Sequence, residues 1–419
     1  MPSCPFVPFV VKLLTLNLSP NAKKRALGLL FFIMLMDVVG ISILFPVSAY
    51  IVQRYSPDAL MVSMLSVLYA AAQFIGAPIL GKLGDRVGRR PVLLASIFGS
   101  AIGYLIFGIG GALWILFLSR IIDGFTGGNM STASAYIADV SSPEERAKNF
   151  TLGGLAWGVG LVLGPALGAV FGQINLAAPA FIAAGFSLAS LALAFFWLPE
   201  SLPAEQRERA PIRLNDLNPL VAIHGMARRP GLGAILVVLC LFNFAFSGMG
   251  SIENVFMIQR FAAQPWQVGL RLTLIGGILI LMQSTLIPWM VSRYEQRHIA
   301  MLAFWVQAVG VLLVFLNPYF LLFFAITILT SIGSGFIFPT LTTLTANSVS
   351  PNEIGQLMGV TTALTSLVNI AGPLWAGLVY DHVMPGSPYW MGAIIYGVAA
   401  LILLRPGPKP ETVLSGSHD

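Results

Sequence analysis

Three acidic side chains stand where a charge is costly. Asp37 lies in the middle of an apolar run, with mostly apolar residues for about two helical turns on either side. An ionised carboxylate there must face a cavity or a partner, and it is suited to taking up and releasing a proton. The alternative is a structural acid held by a buried donor. Arg120 and Asp123 are three positions apart and share one helical face. The pair either tunes the proton affinity of a nearby acid or neutralises itself and holds its helix in place. Glu253 is a further proton-coupling candidate, but it lies close to the end of its run, where a solvated interfacial role competes.

A second group is made of loop charges and small residues. The segment GKLGDRVGRRP (81–91) sets Asp85 among Arg86, Arg89 and Arg90, with glycines at Gly81, Gly84 and Gly88. A lone acid among close-set glycines points to tight backbone approach, whereas the bland reading is an ordinary basic loop. Asp139 is placed to pair with one of these arginines. Gly160, Gly164 and Gly168 recur every four residues on one face, which permits close helix approach, and Pro165 bends the chain between them. Gln73, Asn129, Trp157, Asn243, Gln283, Asn369 and Trp375 lie within apolar runs and are candidates to line a substrate cavity, each also able to satisfy neighbouring backbone. Apolar walls with few fixed charges suit lipophilic or weakly cationic compounds. His224, His298, His382 and His418 are scattered without ligand spacing, and no phosphate-binding glycine loop ending in Lys-Ser/Thr is present. No metal, cofactor, ATP drive or enzymatic chemistry is expected.

These residues are carried by a membrane protein. Of 419 residues, 57% are hydrophobic and 10% charged, against about 25% charged in soluble chains, so a soluble enzyme is excluded. Cys4 and Cys240 form no disulfide framework. A spanning helix needs about 20 apolar residues. Twelve such runs are found, at 27–50, 60–81, 92–110, 112–138, 149–171, 178–198, 231–257, 268–291, 299–316, 319–346, 354–380 and 388–404.

Of the 23 Lys and Arg, 19 fall on one side of this topology, only Arg54, Arg260 and Arg271 on the other, and Arg120 within a span. Basic loops mark the cytoplasmic side, so both termini are expected there, and the net charge of +6 is a topology signal with no bearing on nucleic acid. The expected organisation is a cytoplasmic tail (1–26), a six-helix bundle (27–198), a cytoplasmic linker (199–230), a second bundle (231–404) and a cytoplasmic tail (405–419). Gly164-Pro165 in the fifth run is matched by Gly372-Pro373 in the eleventh, 208 residues on. The loop 81–91 is echoed weakly at 288–298, where Arg293 and Arg297 persist and Ser292 replaces Asp85. Two parallel halves follow.

GKLGDRVGRRPVLL (81–94) resembles the signature loop of the major facilitator superfamily between its second and third spans. Arg120-Ile121-Ile122-Asp123-Gly124 resembles the fourth-span arginine motif. Gly160-x-x-x-Gly164-Pro165-x-x-Gly168 resembles the fifth-span motif of the superfamily's antiporters. Together they identify the chain as similar to the drug:proton antiporter branch, tetracycline-efflux-like, over all twelve spans. The resemblance implies the all-α two-bundle fold and export of small lipophilic compounds in exchange for protons by alternating access. It also implies a bacterial inner membrane location and a monomer in contact with lipid. It implies that Asp85 latches the halves by reaching the start of the eleventh span, where a helix dipole favours an acid, and that the fifth-span bend governs proton leak or direction. Tetracycline carriers have an aspartate in the third span and a histidine in the eighth. This chain reads Ala101-Ile102-Gly103-Tyr104 and Leu279-Ile280-Leu281-Met282-Gln283 there, so tetracycline is not the expected substrate. Proton-coupled uptake, and a transport-inactive sensor or scaffold of the same fold, are the alternatives.

Overall fold

A computed structural model describes residues 20–127, 129–207, 225–226, 231–350 and 353–404. The expected tails and linker lie largely outside these residues. With them lie Cys4, Lys12, Arg209, Arg213, His224, Arg228, Arg229, Arg405, Lys409 and His418.

The described residues form helices, turns and bends, without a strand. Among the described residues ten helices are long and apolar enough to cross a membrane, in keeping with the need of a chain in hydrocarbon to satisfy its backbone internally. In span one, Pro20–Ser42 and Phe45–Val52 form one nearly continuous rod with a turn at Ile43-Leu44. Span two is Ala59–Val87, span three Arg89–Ile109, span five Pro143–Ile174 and span six Ala178–Trp197. In the second half, Leu232–Phe261, Gln296–Leu316, Phe320–Ala346 and Ile354–His382 are spans seven, nine, ten and eleven, with the shorter Ser387–Ile402 as span twelve. Span eight runs Pro265–Val291 and widens to a π-helical turn at Met282–Leu286, where Pro288 has no N–H to continue the ordinary ladder.

Span four departs from expectation. The run 112–138 reads as one helix, but the structure has two, Leu113–Thr126 and Asn129–Val140. The interruption lies at Gly127, where consecutive glycines remove helix propensity, and the Thr126 hydroxyl turns back to the Ile122 carbonyl at 2.8 Å.

The chain folds as two compact units, the first comprising spans one to six with Met257–Gly277. Within it span three packs on spans four and six, and span one on spans five and six. The interface of spans one and five is built on glycines. A Cβ at Gly160 would meet the Val38 side chain, at Gly164 the Ser42 hydroxyl and at Gly168 the Ile43 carbonyl. Ser42 Oγ lies 2.7 Å from the Val38 carbonyl and 3.0 Å from that of Gly160, donating to one at a time. The face of Met257–Gly277 is fitted in the same way, Gly269 against Ala169 and the Pro165 carbonyl, and the Tyr50 hydroxyl donates to the Ala263 carbonyl. In the second unit span nine packs on spans ten and twelve, the arrangement that span three has with four and six.

The glycines of span five differ sharply in surroundings, so substitution separates them. Gly168→Ala is expected to lower the thermal unfolding midpoint in detergent by several degrees, as overpacking by about 1–3 kcal/mol would. Gly154→Ala, where an added Cβ meets nothing within 4 Å, is expected to leave the midpoint unchanged or raise it.

Candidate functional site

Span one carries Asp37 midway along its length, roughly 20 Å from either end at 1.5 Å per residue. Its carboxylate is half-buried and accepts a hydrogen bond from Asn129 Nδ2 at 2.8 Å. Asn129 begins the second helix of span four and is 3% exposed. One turn before the interruption, Arg120 Nη1 pairs with Asp123 Oδ2 at 3.2 Å. Both are buried, at 8% and 2% exposure.

The walls around this pair explain its placement. The Arg120 guanidinium lies 4.8 Å from the centroid of the Phe107 ring and 5.5 Å from that of Tyr104, both of span three, so aromatic faces replace lost water. Gly103 leaves room for Asp123, whose Cβ would collide with any side chain there, and the Tyr104 ring fills the hollow over Gly40 of span one. From span two, Tyr69 closes on Gly124, and Gln73 Nε2 donates to the Gly127 carbonyl at 3.2 Å, satisfying backbone where the helix stops. The structure thus brings together Asp37, Arg120, Asp123, Asn129 and Gln73. Tyr69, Tyr104 and Phe107 were not expected there, since an aromatic in an apolar run has no sequence signal of its own.

Trp157 is also in the first unit, exposed on span five. The remaining candidates belong to the second unit. Asn243 donates to the Leu239 carbonyl of its own helix at 2.9 Å, Trp375 stands against Phe244 with centroids 5.0 Å apart, and Gln283 is exposed on the π-helical turn. Asn369 and Glu253 are half-buried on spans eleven and seven.

The segment 81–91, expected as a loop, is helical except at Gly88, since span two runs on to Val87 and span three opens at Arg89, and this junction forms a second polar cluster. Arg89 Nη2 meets Asp85 at 2.6 Å and its Nε meets Asp139 at 3.2 Å, and the Ser201 hydroxyl donates to the same Asp139 carboxylate at 2.9 Å. Arg90 donates to the Phe195 carbonyl at the end of span six. Glu200, not singled out by the sequence, is the anchor of this turn. It accepts the backbone N–H of Arg89, Ser201 and Leu202 at 2.8, 3.0 and 3.1 Å. Its only sequence signal is position, an acid directly after a span and opposite a basic loop. Gly88 has φ +115 and its α-carbon faces the Glu200 carboxylate so closely that no Cβ fits, so glycine is required twice over. Gly81 differs from the expectation of tight approach, since a Cβ there meets nothing within 4 Å.

Known proteins resemble this chain over most of its length. The model of the Major Facilitator Superfamily matches residues 30–290 and 254–418. The chain belongs to the major facilitator superfamily. Tetracycline resistance protein class C of Escherichia coli is 33% identical over 88% of this chain and 94% of its own length. The class B protein of the same organism is 29% identical over 91% and 97%. Among solved structures, the human organic anion transporter MFSD10 has a TM-score of 0.67 at 24% identity, covering 92% of this chain and all of that one. A POT family transporter reaches 0.75 at 14% identity, covering 92% and 97%. This superfamily member is an integral membrane protein with the all-helical transporter fold, and the resemblance to the tetracycline-efflux type stands on most of its length.

The Glu200 anchor generates a prediction of its own. Glu200→Ala leaves the N–H groups of Arg89, Arg90, Ser201 and Leu202 without their acceptor and is expected to speed trypsin cleavage after Arg86 or Arg89 several-fold. Arg207→Ala, whose contact with Glu200 is 3.9 Å, should change it little.

Proposed function

We propose that the chain exports small lipophilic compounds in exchange for protons, with Asp37 as the proton carrier. The observation that carries this reading is the division of labour among the buried charges. Arg120 keeps its charge at any accessible pH and is matched by Asp123, whereas among the described residues Asp37 has an amide for its partner. A half-buried carboxylate with no cation of its own is the group whose charge is most costly in hydrocarbon and whose protonation most relieves that cost. Loading a proton from one side and releasing it to the other is then coupled to movement of the substrate in the opposite direction.

In this reading the bundles 27–198 and 231–404, joined by 199–230, rock about a central site. Asp85, Arg89 and Asp139 hold the loop of the first bundle in the shape that meets the start of span eleven. Gly160, Gly164, Pro165 and Gly168 seal span five to span one. Gln73, Trp157, Asn243, Gln283, Asn369 and Trp375 are the proposed substrate-cavity residues. Glu253 and Asp123 are secondary acids. The protein works as a monomer in a bacterial inner membrane with both termini in the cytoplasm, in keeping with the bacterial sources of the tetracycline resistance proteins to which it is similar.

Proteoliposomes with an internal pH dye test this with a panel of lipophilic cations, dyes and tetracycline. The expected result is substrate-dependent proton movement opposite to the compound, reduced about a hundredfold or more in Asp37→Asn, the low end of what a positioned proton-transfer group contributes. Movement in the same direction would replace exchange with uptake by symport. Exchange that survives in Asp37→Asn would move the carrier to Asp123 or Glu253. No movement with any compound would favour a sensor or scaffold.

A further inference from the structure

Asn129 has one half of its amide in use and the other half empty. Its Nδ2 donates to Asp37, while its Oδ1 is buried without a hydrogen-bond partner. A buried amide oxygen left unpaired is costly and uncommon. The chemistry of Asp37 supplies what is missing. Ionised, that carboxylate only accepts, and protonated it gains an O–H that must donate. The two ends of an Asn amide are nearly isosteric, and the terminal torsion is broad and roughly two-fold, so one rotation presents Oδ1 where Nδ2 stood.

We propose that Asn129 is a positioning residue that reads the protonation state of Asp37. It donates to the ionised carboxylate and rotates to accept from the protonated one. The inference rests on Asp37 being the proton carrier.

The fold gives this reading a consequence. Asn129 is the first residue of the second helix of span four, beyond the interruption at Gly127. The side before the break is fixed, with Arg120 paired to Asp123, Gly124 seated on the Tyr69 backbone and the Gly127 carbonyl held by Gln73. A change in the bond between Asp37 and Asn129 therefore acts on the second helix, which carries Asp139 near its far end, at the latch loop. Protonation on span one is in this way connected to the charged loop through one short helix.

The other groups facing Asp37 are accounted for. Span two presents Tyr69, span three Tyr104, and span four Asp123 with Arg120 paired to it. Spans five and six, packed on the other side of span one, have no titratable residue between 149 and 199. Tyr104, whose hydroxyl is buried without a hydrogen-bond partner, is the rival acceptor, and Tyr104→Phe is its control.

The test uses the full chain, comparing Asn129→Leu, Asn129→Thr, Tyr104→Phe and Asp37→Asn. The readouts are the pH dependence of exchange and of the infrared carbonyl band of a protonated carboxyl group, assigned to Asp37 by its absence in Asp37→Asn. Leucine keeps the volume and removes both donor and acceptor. Bonds to ionised groups are the stronger, so their loss outweighs that of the neutral one, and the midpoint of both profiles is expected about one unit higher in pH. Threonine, which can donate and accept, should return the midpoint most of the way to that of the wild type, and Tyr104→Phe should leave it in place.

A residue that merely packs would change the maximal rate and leave the midpoint where it was, and that outcome overturns the proposal. If Asn129→Leu abolishes exchange, the infrared midpoint still decides, and an unshifted one is equally fatal. A shift in Tyr104→Phe with none in Asn129→Leu gives the role to Tyr104. If Asp37→Asn keeps both its exchange and the band, the carrier is misassigned and this inference falls with it. Loss of both in Asp37→Asn with an unmoved midpoint in Asn129→Leu removes the inference alone.

Discussion

A guanidinium cannot shed its charge inside a membrane, and the first unit is arranged around that constraint at Arg120. Asp123 supplies the opposite charge at 3.2 Å, and the faces of Phe107 and Tyr104 supply what water would otherwise give. This fixes which faces of spans three and four must meet, and it explains the small residues beside them. Gly103 admits Asp123, Gly124 admits the Tyr69 backbone, and Gly40 admits Tyr104. With one acid committed to the arginine, Asp37 is left with an amide partner, and the asymmetry between the two carboxylates follows.

The two halves have kept different parts of a shared loop design. Arg90 donates to the Phe195 carbonyl near the end of span six, and Arg297 donates to the Leu403 carbonyl at the end of span twelve at 2.7 Å. The donors lie 207 residues apart and the acceptors 208. A cation on the last carbonyls of a helix favours the helix dipole in both places. The ionic part is different. Asp85 has no counterpart at Ser292, and Arg293 lies over the ring of Trp289 at 4.6 Å instead.

The spans were legible because hydrocarbon thickness demands long apolar runs, but charges misplaced some ends, since span two continues through Lys82, Asp85 and Arg86 to Val87 and span five begins at Pro143, six residues before the apolar run. Asp37, Arg120 and Asp123 were legible because charge in such runs is rare and expensive. The break in span four was not, since Gly127 in a membrane helix reads the same whether the helix continues or stops. Glu200 was hidden because an acid after a span resembles any solvated end residue, and only the fold brings it onto the amides of Arg89, Ser201 and Leu202. The glycines at the junction of spans two and three show the limit most clearly. Gly81 and Gly88 are alike in sequence, yet one faces open space and the other has φ +115 against a carboxylate.

The division of span four also bears on how the protein is made. Its helices of 14 and 12 residues are each shorter than the bilayer is thick. The first of them carries an arginine whose insertion alone costs about 2.5–3.5 kcal/mol at mid-membrane. Such a segment is a poor candidate to enter the lipid by itself as it leaves the ribosome. The aromatic faces and small residues that accept its charges belong to spans two and three, which are synthesised before it. The groups that make span four tolerable in lipid are thus supplied by helices that precede it in the chain.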